Sequence, residues 1–267
     1  MSKFTIDTLF YPGKHLSDER LAELTAELRE VADSCFDEGP SYQVLTGARK
    51  EFDRAVITVA RDKKGKLLGF VSALVLPVEE VGSVLHLGLT CVHPRARGLK
   101  LTHKLTTKMI LTYLLKESPL SETWITNCAC VLSSLGNVAL YFEDLYPSPF
   151  VSTPTMTHLN IAREVDRRFR APIAINESAT FNINTFVFEG SVGGTVFEKD
   201  DKDKRFHHRN KELTQYYRDL LNFERGDEVL QIGKVSLLSY PKYVTKKAWV
   251  KTKRKFSNTQ EAESLAR

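Results

Sequence analysis

A basic turn between a strand-like segment and a helix-like segment constrains this chain more than any other feature. Residues 84–90 form a mostly apolar run, and residues 92–105 read VHPRARGLKLTHKL. After Gly98, leucine or methionine recurs at every fourth position for two turns, and this spacing is typical of a helix. The sequence therefore predicts a strand that passes through a tight basic turn into a helix.

The predicted junction is suited to binding an anion. The first turn of a helix has backbone N–H groups without intrahelical partners, and it carries the positive end of the helix dipole. Gly98 allows a ligand to approach the backbone closely, and Arg95, Arg97 and Lys100 add positive charge around it. A diphosphate is the natural ligand for such a turn.

The turn resembles the pyrophosphate loop of the GNAT superfamily of acyl-coenzyme A-dependent N-acyltransferases. The signature of that loop is Gln or Arg, two residues, Gly, one residue, then Gly or Ala. Arg95 and Gly98 match it, and Lys100 departs from it at the last position. A longer form, Val-x-Pro-x-x-Arg-Gly, is matched at Val92, Pro94, Arg97 and Gly98.

The resemblance implies that acetyl-coenzyme A is the acyl donor and co-substrate. The residues expected to bind it are Cys91, Val92, Arg95, Arg97, Gly98, Leu99, Lys100, Thr102 and Asn137. The alternative for the loop alone is a strand-to-helix turn whose basic residues are simply solvated, because short motifs often match by chance.

The predicted elements follow the order of the GNAT fold. They are a strand at residues 3–12, a helix opened by Ser17, strands at 55–61, 67–76, 83–92 and 124–131, and a helix at 133–145. The predicted class is α/β, with a mixed, mostly antiparallel central sheet flanked by helices and an elaborated C-terminal half. The resemblance also implies that acyl-coenzyme A inserts where the strands on either side of the signature helix splay apart.

The C-terminal half has no close family match. Residues 155–161 are predicted to continue the sheet, 181–188 to form a strand, and 190–194 a turn rather than a phosphate loop. Residues 198–209 are predicted to be a charged, exposed insertion over the acceptor site, and the last strand to return to the GNAT sheet. A small separate α+β lobe is the alternative. The predicted division is 1–162 for the GNAT core, 163–241 for the elaboration and 242–267 for a basic, partly disordered tail.

Tyr141 is the predicted general acid. Asn137, Ala139, Leu140 and Tyr141 resemble the Asn, Ala, Leu-Tyr pattern of the family, with a shorter spacing from Asn to Tyr. A phenol there could return a proton to the departing thiolate. Tyr146 is the second choice, and a tyrosine packed on the sheet is the structural alternative.

His86 is the predicted general base. Family members often place a Glu near the start of the strand that leads into the loop, and this strand has none. A neutral imidazole is a competent base near pH 7. A core histidine without a catalytic role is the alternative, and Glu79 and Glu80 are weaker candidates for the base.

Composition and charge agree with a soluble, cytoplasmic enzyme. Apolar residues make up 42% of the 267 positions, enough for a sizeable core. We expect no transmembrane segment, no signal peptide and no metal site, and we expect all four cysteines to act as small buried hydrophobes.

The net charge of +5 is concentrated at the end of the chain. Residues 242–267 hold eight basic and two acidic residues, a net charge of +6, which leaves −1 for the preceding 241 residues. The segment 242–255 combines this charge with one tryptophan, which suits phosphates of nucleic acid or an acidic membrane. A solvated terminus is the simpler alternative.

The sequence thus predicts an N-acetyltransferase that transfers acetyl from acetyl-coenzyme A directly to a small-molecule or peptide amine. One alternative is a degenerate GNAT-like module that binds acyl-coenzyme A or a protein without chemistry. The other is a nucleic-acid-associated protein that uses the basic tail. The acceptor and the oligomeric state are left open.

Overall fold

The structure is a computed structural model, and it describes residues 4–238. The first half of these residues forms β1 (Phe4–Phe10), α1 (Asp18–Asp33), α2 (Arg49–Phe52), β2 (Ala55–Asp62), β3 (Leu67–Val78), β4 (Gly82–Val92), α3 (Leu101–Glu117) and β5 (Thr123–Ala129). The second half forms α4 (Leu132–Tyr141), β6 (Glu143–Tyr146), α5 (Met156–Arg168), β7 (Thr180–Asn182), β8 (Val187–Glu189), α6 (Lys211–Leu220) and β9 (Glu228–Val235). The predicted basic tail at 242–267 lies outside the described residues.

All nine of these strands join one mixed, mostly antiparallel sheet. Its order is β1-β2-β3-β4-β5-β9-β8-β7, and β6 also pairs with β9. Only β4 and β5 are parallel neighbours within the described sheet, and they are joined by the crossover helix α3. The predicted class, α/β with a mostly antiparallel sheet flanked by helices, is confirmed.

The sheet buries a separate apolar layer on each side. On one side, which we call the α1 face, Leu28 of α1 and Ile161 of α5 pack with Phe70 of β3. On the other, which we call the α3 face, Leu105 of α3 and Leu135 of α4 pack with Leu85 of β4 and with α6. Alternate residues of each strand therefore belong to different layers, as the pleat requires.

Hydrogen bonds between residues close in the chain fix the start of α1 and the first hairpin of the sheet. Ser17 caps α1, with its hydroxyl accepting a hydrogen bond from the backbone N–H of Arg20 at 3.4 Å. The turn between β2 and β3 is closed by the Asp62 carboxylate, which accepts from the N–H groups of Lys64 and Lys66, each at 2.9 Å. This turn fixes the register of the hairpin.

The C-terminal half differs from prediction in three elements. Residues 155–161 were expected in the sheet but begin α5, because Thr155 and His158 form a reciprocal capping box and Ile161, Ala162 and Val165 are buried at helical spacing. The expected strand at 181–188 is a hairpin, because Asn182 starts a turn and its carbonyl accepts from the N–H of Phe186 at 2.8 Å.

The third difference is the end of α4, which was expected near residue 145. The helix ends at Tyr141, and Glu143–Tyr146 becomes a strand because it finds a pairing partner in β9, with Glu143 opposite Lys234 and Tyr146 opposite Ile232. The last strand returns to the sheet, since β9 pairs with β5 from Val229 to Val235. Whether 162 and 241 are domain boundaries stays a prediction.

No helix within residues 4–238 is long and apolar enough to cross a membrane. In the same stretch, no group of three or more His, Cys, Asp or Glu side chains is placed to hold a metal ion.

Candidate functional site

The parallel strands β4 and β5 pair for only three residues and then separate. Their pairing runs from Leu85 with Ile125 to Leu87 with Asn127. On the opposite edge of β4, Val71 pairs with Thr90 but Ala73 pairs with Leu87, so Gly88 and Leu89 together oppose Ser72. This extra residue is a β-bulge, which bends β4 away from β5.

Gln43 occupies the space beside the bulge. A Cβ atom on Gly88 would collide with the Gln43 side-chain amide, so a larger residue there would displace that amide. The Oε1 of Gln43 accepts a hydrogen bond of 3.0 Å from the Ser72 hydroxyl, and both side chains are buried. The bulge is therefore held by a specific buried contact from the segment that follows α1.

A cleft of about 850 Å³ opens where the strands separate. Both strand edges line it, at residues 88–90 and 127–131. The α3 face contributes Thr102, Thr106, Ser133, Asn137 and Tyr141, and the α1 face contributes Cys35, Phe36 and Tyr42. The cleft is thus lined from both faces of the sheet, and its volume is in the range of small-molecule sites.

The basic turn lies between two residues that line the cleft, Thr90 and Thr102. Gly98 adopts the left-handed region with φ 83°, and among the described residues no atom outside its two chain neighbours lies within 4 Å of the place where its Cβ would be. Lys100, at the N-cap of α3, makes no side-chain capping hydrogen bond. Open space and an uncapped helix end are what a diphosphate needs here.

Lys100, the residue that departs from the family pattern, also has a left-handed backbone, with φ 57° at the position before α3. The Gly that the family signature allows there adopts that conformation at no steric cost. Lys100 is exposed, so its side chain does not fill the space in front of Gly98.

The chain matches no family model and no curated protein. Three solved structures to which it is similar are acetyltransferases. An aminoglycoside acetyltransferase from an uncultured soil metagenomic sample is 16% identical, over 43% of this chain and 72% of that one, with a TM-score of 0.33.

The second is the GNAT family N-acetyltransferase YhbS of Escherichia coli in complex with CoA, 15% identical over 48% of this chain and 63% of that one, TM-score 0.33. The third is a ribosomal-protein-alanine N-acetyltransferase of Brucella melitensis, 21% identical over 43% and 75%, TM-score 0.32. In this chain itself, the element order and the splayed parallel pair agree with what the loop resemblance implied.

Three of the predicted GNAT site residues line the cleft, namely Thr102, Asn137 and Tyr141. The others do not line it. Arg95 is turned away, because its Nη2 donates to the Leu67 carbonyl at 3.0 Å and lies 3.9 Å from the Asp62 carboxylate. Arg97, Gly98 and Lys100 are exposed, and Cys91 is buried. The binding roles of all nine predicted residues stay predictions.

Tyr141 lies at the last position of α4, half-buried, on the wall of the cleft. Tyr146, the second choice, does not line the cleft, and its hydroxyl donates to the Asn184 carbonyl at 2.9 Å. Its ring packs edge-on against Phe186 at 4.8 Å between centroids. Of the two phenols, Tyr141 is the one that a substrate in the cleft can contact.

His86 lies in the core of the α1 face and is 1% exposed. Its Nδ1 is 2.9 Å from the Thr126 hydroxyl, its Nε2 has no hydrogen-bond partner among residues 4–238, and the side chain does not line the cleft. Burial lowers the pKa of His86 to about 3, which makes the imidazole a weak proton acceptor. Its catalytic role stays a prediction. Glu79, a weaker candidate, pairs with Arg168 at 3.0 Å.

Sequence reasoning missed Glu228, a carboxylate that lines the cleft. It is the first residue of β9 and lies opposite Phe188 of β8, on the α1 face. The bases predicted from the sequence, His86, Glu79 and Glu80, all lie in β4 or in the segment before it. The missed signal was a Glu two residues before Leu230 and four before Ile232, which puts its side chain on the same face of the strand as those apolar residues.

Cys35 was predicted to be buried but is exposed and lines the cleft. Its sulfur lies 3.5 Å from the Val92 carbonyl oxygen. A hydrogen bond from the buried Cys91 thiol lowers the pKa of Cys35 to about 6, with smaller contributions from Ser34 and Arg97. The lowered pKa favours the thiolate form of Cys35.

We expect iodoacetamide to alkylate Cys35 before the other three cysteines, with a rate that rises through pH 6 and is level above pH 7. The thiolate is the reactive form, so a lowered pKa moves the rise to lower pH. Peptide mass spectrometry over a pH series measures this. Cys91→Ala should move the rise of the alkylation rate to higher pH, because the variant lacks the hydrogen bond that lowers the pKa of Cys35. An unchanged profile in that variant would show that Cys91 does not tune Cys35.

Proposed function

We propose that this chain is an acyl-coenzyme A-dependent N-acyltransferase that transfers acetyl directly to an amine. One observation carries the proposal: the cleft lies between the separated edges of β4 and β5 and is lined from both faces of the sheet. An acyl donor and an acceptor that reach the cleft from opposite faces meet at these edges, which is the arrangement that direct transfer requires.

The α3 face is suited to the donor. When bound, acetyl-coenzyme A supplies the thioester, and the turn at Gly98 with the N-terminus of α3 would hold its diphosphate. Strand edges that have lost their partners offer N–H and C=O groups to the extended arm of the donor. An N–H group there would also polarise the thioester carbonyl.

Tyr141 is the proposed proton donor to the departing sulfur, and Asn137, one helical turn earlier on the same wall, is a proposed contact of the donor. A phenol is matched to this task because it is protonated at neutral pH and can donate without a prior titration.

Titration of the full chain with acetyl-coenzyme A by calorimetry tests donor binding, and release of free thiol with a panel of primary amines tests turnover. Acetyl-pantetheine, which lacks the diphosphate, should bind at least about tenfold more weakly, which corresponds to one lost charge-assisted contact. Acetyl-coenzyme A should also slow alkylation of Cys35. Binding without turnover on any amine would instead support a module that binds acyl-coenzyme A without chemistry.

A further inference from the structure

Glu228 is a buried carboxylate without a cation. It is 9% exposed, and its Oε2 accepts a hydrogen bond of 2.7 Å from the buried Ser191 hydroxyl. In the part of the chain that the structure describes, no ion pair includes Glu228, whereas its neighbour Asp227 pairs with Arg225 at 2.7 Å. Burial raises the pKa of Glu228 to about 7.

The groups around Glu228 are aromatic rings and thiols. Burial, and to a smaller degree the negative charge of Glu228, raises the pKa of Tyr42 from the segment after α1 and of Cys128 and Cys130 from the end of β5. Two cations line the same cleft: Lys199 donates to the carbonyls of Val196 at 3.0 Å and Glu198 at 2.9 Å and lies 5.9 Å from the centre of the Phe36 ring, and Arg205 pairs with Asp203. Among the described residues neither of them forms an ion pair with Glu228.

Three aromatic rings form the wall next to this carboxylate. Phe197 contacts Phe36 edge-on at 5.8 Å and Tyr42 at 5.7 Å between ring centroids. All three rings line the cleft together with Glu228. Aromatic faces attract cations and also pack apolar groups, so the wall suits an organic ammonium group better than a hydrated metal ion.

An ionised carboxylate in such a place is unfavourable unless a cation pairs with it. The amine acceptor of the proposed transfer is a cation at neutral pH and enters the same cleft. We propose that Glu228 binds the ammonium group of a small primary monoamine that carries an aromatic or apolar body, and that it accepts the ammonium proton before acyl transfer. This inference rests on the proposed function.

The proton and bond changes balance. The ammonium gives one proton to Glu228, and the neutral amine attacks the thioester carbonyl. A nitrogen–carbon bond forms, the carbon–sulfur bond breaks, and the second nitrogen proton replaces the one that Tyr141 donates to the sulfur. The products are the amide, free thiol and a protonated Glu228, which returns its proton to solvent. A carboxyl with a pKa near the working pH suits this exchange.

A single buried carboxylate also sets the number of charges that the acceptor can carry. A second ammonium on the acceptor would have to leave water without a buried partner, which costs several kcal/mol. A neutral alcohol of the same shape forms no ion pair with Glu228. We therefore expect aromatic monoamines to bind with higher affinity than either diamines or alcohols.

Binding tests the site without turnover. The probes are 2-phenylethylamine, its neutral analogue 2-phenylethanol and the dication 1,4-diaminobutane, each titrated into the full chain with coenzyme A at pH 6. We expect the first to bind at least tenfold more tightly than the others and to release a proton, because Glu228 must ionise to pair with it. The measured enthalpy then depends on the ionisation enthalpy of the buffer. Equal binding of the three probes would overturn the proposal.

Glu228→Gln keeps the shape and removes the charge. It should abolish the proton release and the preference for the amine, while Glu198→Gln, at an exposed carboxylate outside the cleft lining, should change neither. Thermal unfolding verifies that both variants fold. Ser191→Ala is a milder second variant that should raise the pH at which proton release is half complete. Amine binding in Glu228→Gln equal to that of the parent would refute the assignment.

The pH dependence of turnover shows which of Glu228 and His86 accepts the proton. In the parent, kcat/KM for 2-phenylethylamine should rise with pH through about 7, because the raised pKa leaves Glu228 uncharged below that pH. Glu228→Gln should lose this rise and about a hundredfold in kcat/KM, with acetyl-coenzyme A binding unchanged, and His86→Gln should keep it. Loss of the rise in His86→Gln alone would overturn the role of Glu228 and support His86.

Amine binding that depends on Glu228 in a protein that acetylates no amine would instead contradict the proposed function.

Discussion

Replacing Gly98 by Asp is expected to weaken binding of acetyl-coenzyme A by about thirtyfold, or roughly 2 kcal/mol. The carboxylate would project into the open space in front of Gly98, where the diphosphate is proposed to lie. Like charges there repel each other, and the loop loses part of its attraction. Calorimetric titration of the folded variant measures the change.

Gly98→Asn is the matched control for this prediction. Asn and Asp have nearly the same shape, and both tolerate the left-handed conformation that Gly98 adopts better than most residues do. Any strain at φ 83° is therefore common to the two variants, and the difference between them reports charge. If Asp and Asn bind the donor equally well, the diphosphate does not lie at this turn.

Tyr141→Phe is expected to lower kcat by about tenfold or more and to leave KM for acetyl-coenzyme A nearly unchanged. The change removes only the hydroxyl, so the wall of the cleft keeps its shape. Steady-state kinetics with a saturating amine measure both constants. Unaltered kcat would transfer the role of the acid to another group or to water.

Tyr146→Phe is the control for Tyr141. The Tyr146 hydroxyl bonds to the Asn184 carbonyl outside the cleft, so its loss should reduce the free energy of unfolding by about 1 kcal/mol and leave kcat unchanged. A fall of kcat in Tyr146→Phe with none in Tyr141→Phe would exchange the two assignments.

The features that the sequence predicted well depend on neighbours in the chain. The Ser17 cap and the strand, turn and helix around Gly98 each involve residues within a few positions of one another. Their chemistry is visible in the order of residues, and the predicted sheet class follows from the order of such elements.

The features that escaped prediction depend on pairing between distant segments. Glu228 enters the cleft because β9 lies between β5 and β8, with Val229 opposite Ala129 and Glu228 opposite Phe188, and these pairs join segments that are distant in the chain. His86 was the predicted base, with a core histidine as the alternative, and the pairing of β4 with β5 places it beside Thr126 in the core. Thr155 was assigned to the sheet because apolar spacing over a few residues does not separate a strand from a short helix.

Three of the residues other than glycine that have a left-handed backbone are Ala174 in the cleft lining, Gln43 next to Tyr42, and Lys100 two positions before Thr102. Their φ angles are 45° at Gln43, 57° at Lys100 and 59° at Ala174. Each such residue costs about 1 kcal/mol in local conformational energy, which the two apolar layers must offset. Glycine at these positions would remove that cost, so such replacements are expected to raise the melting temperature. The same exchange would release the Gln43 amide from the bulge and loosen the start of α3, so gains in melting temperature there would come at the expense of the shape of the cleft.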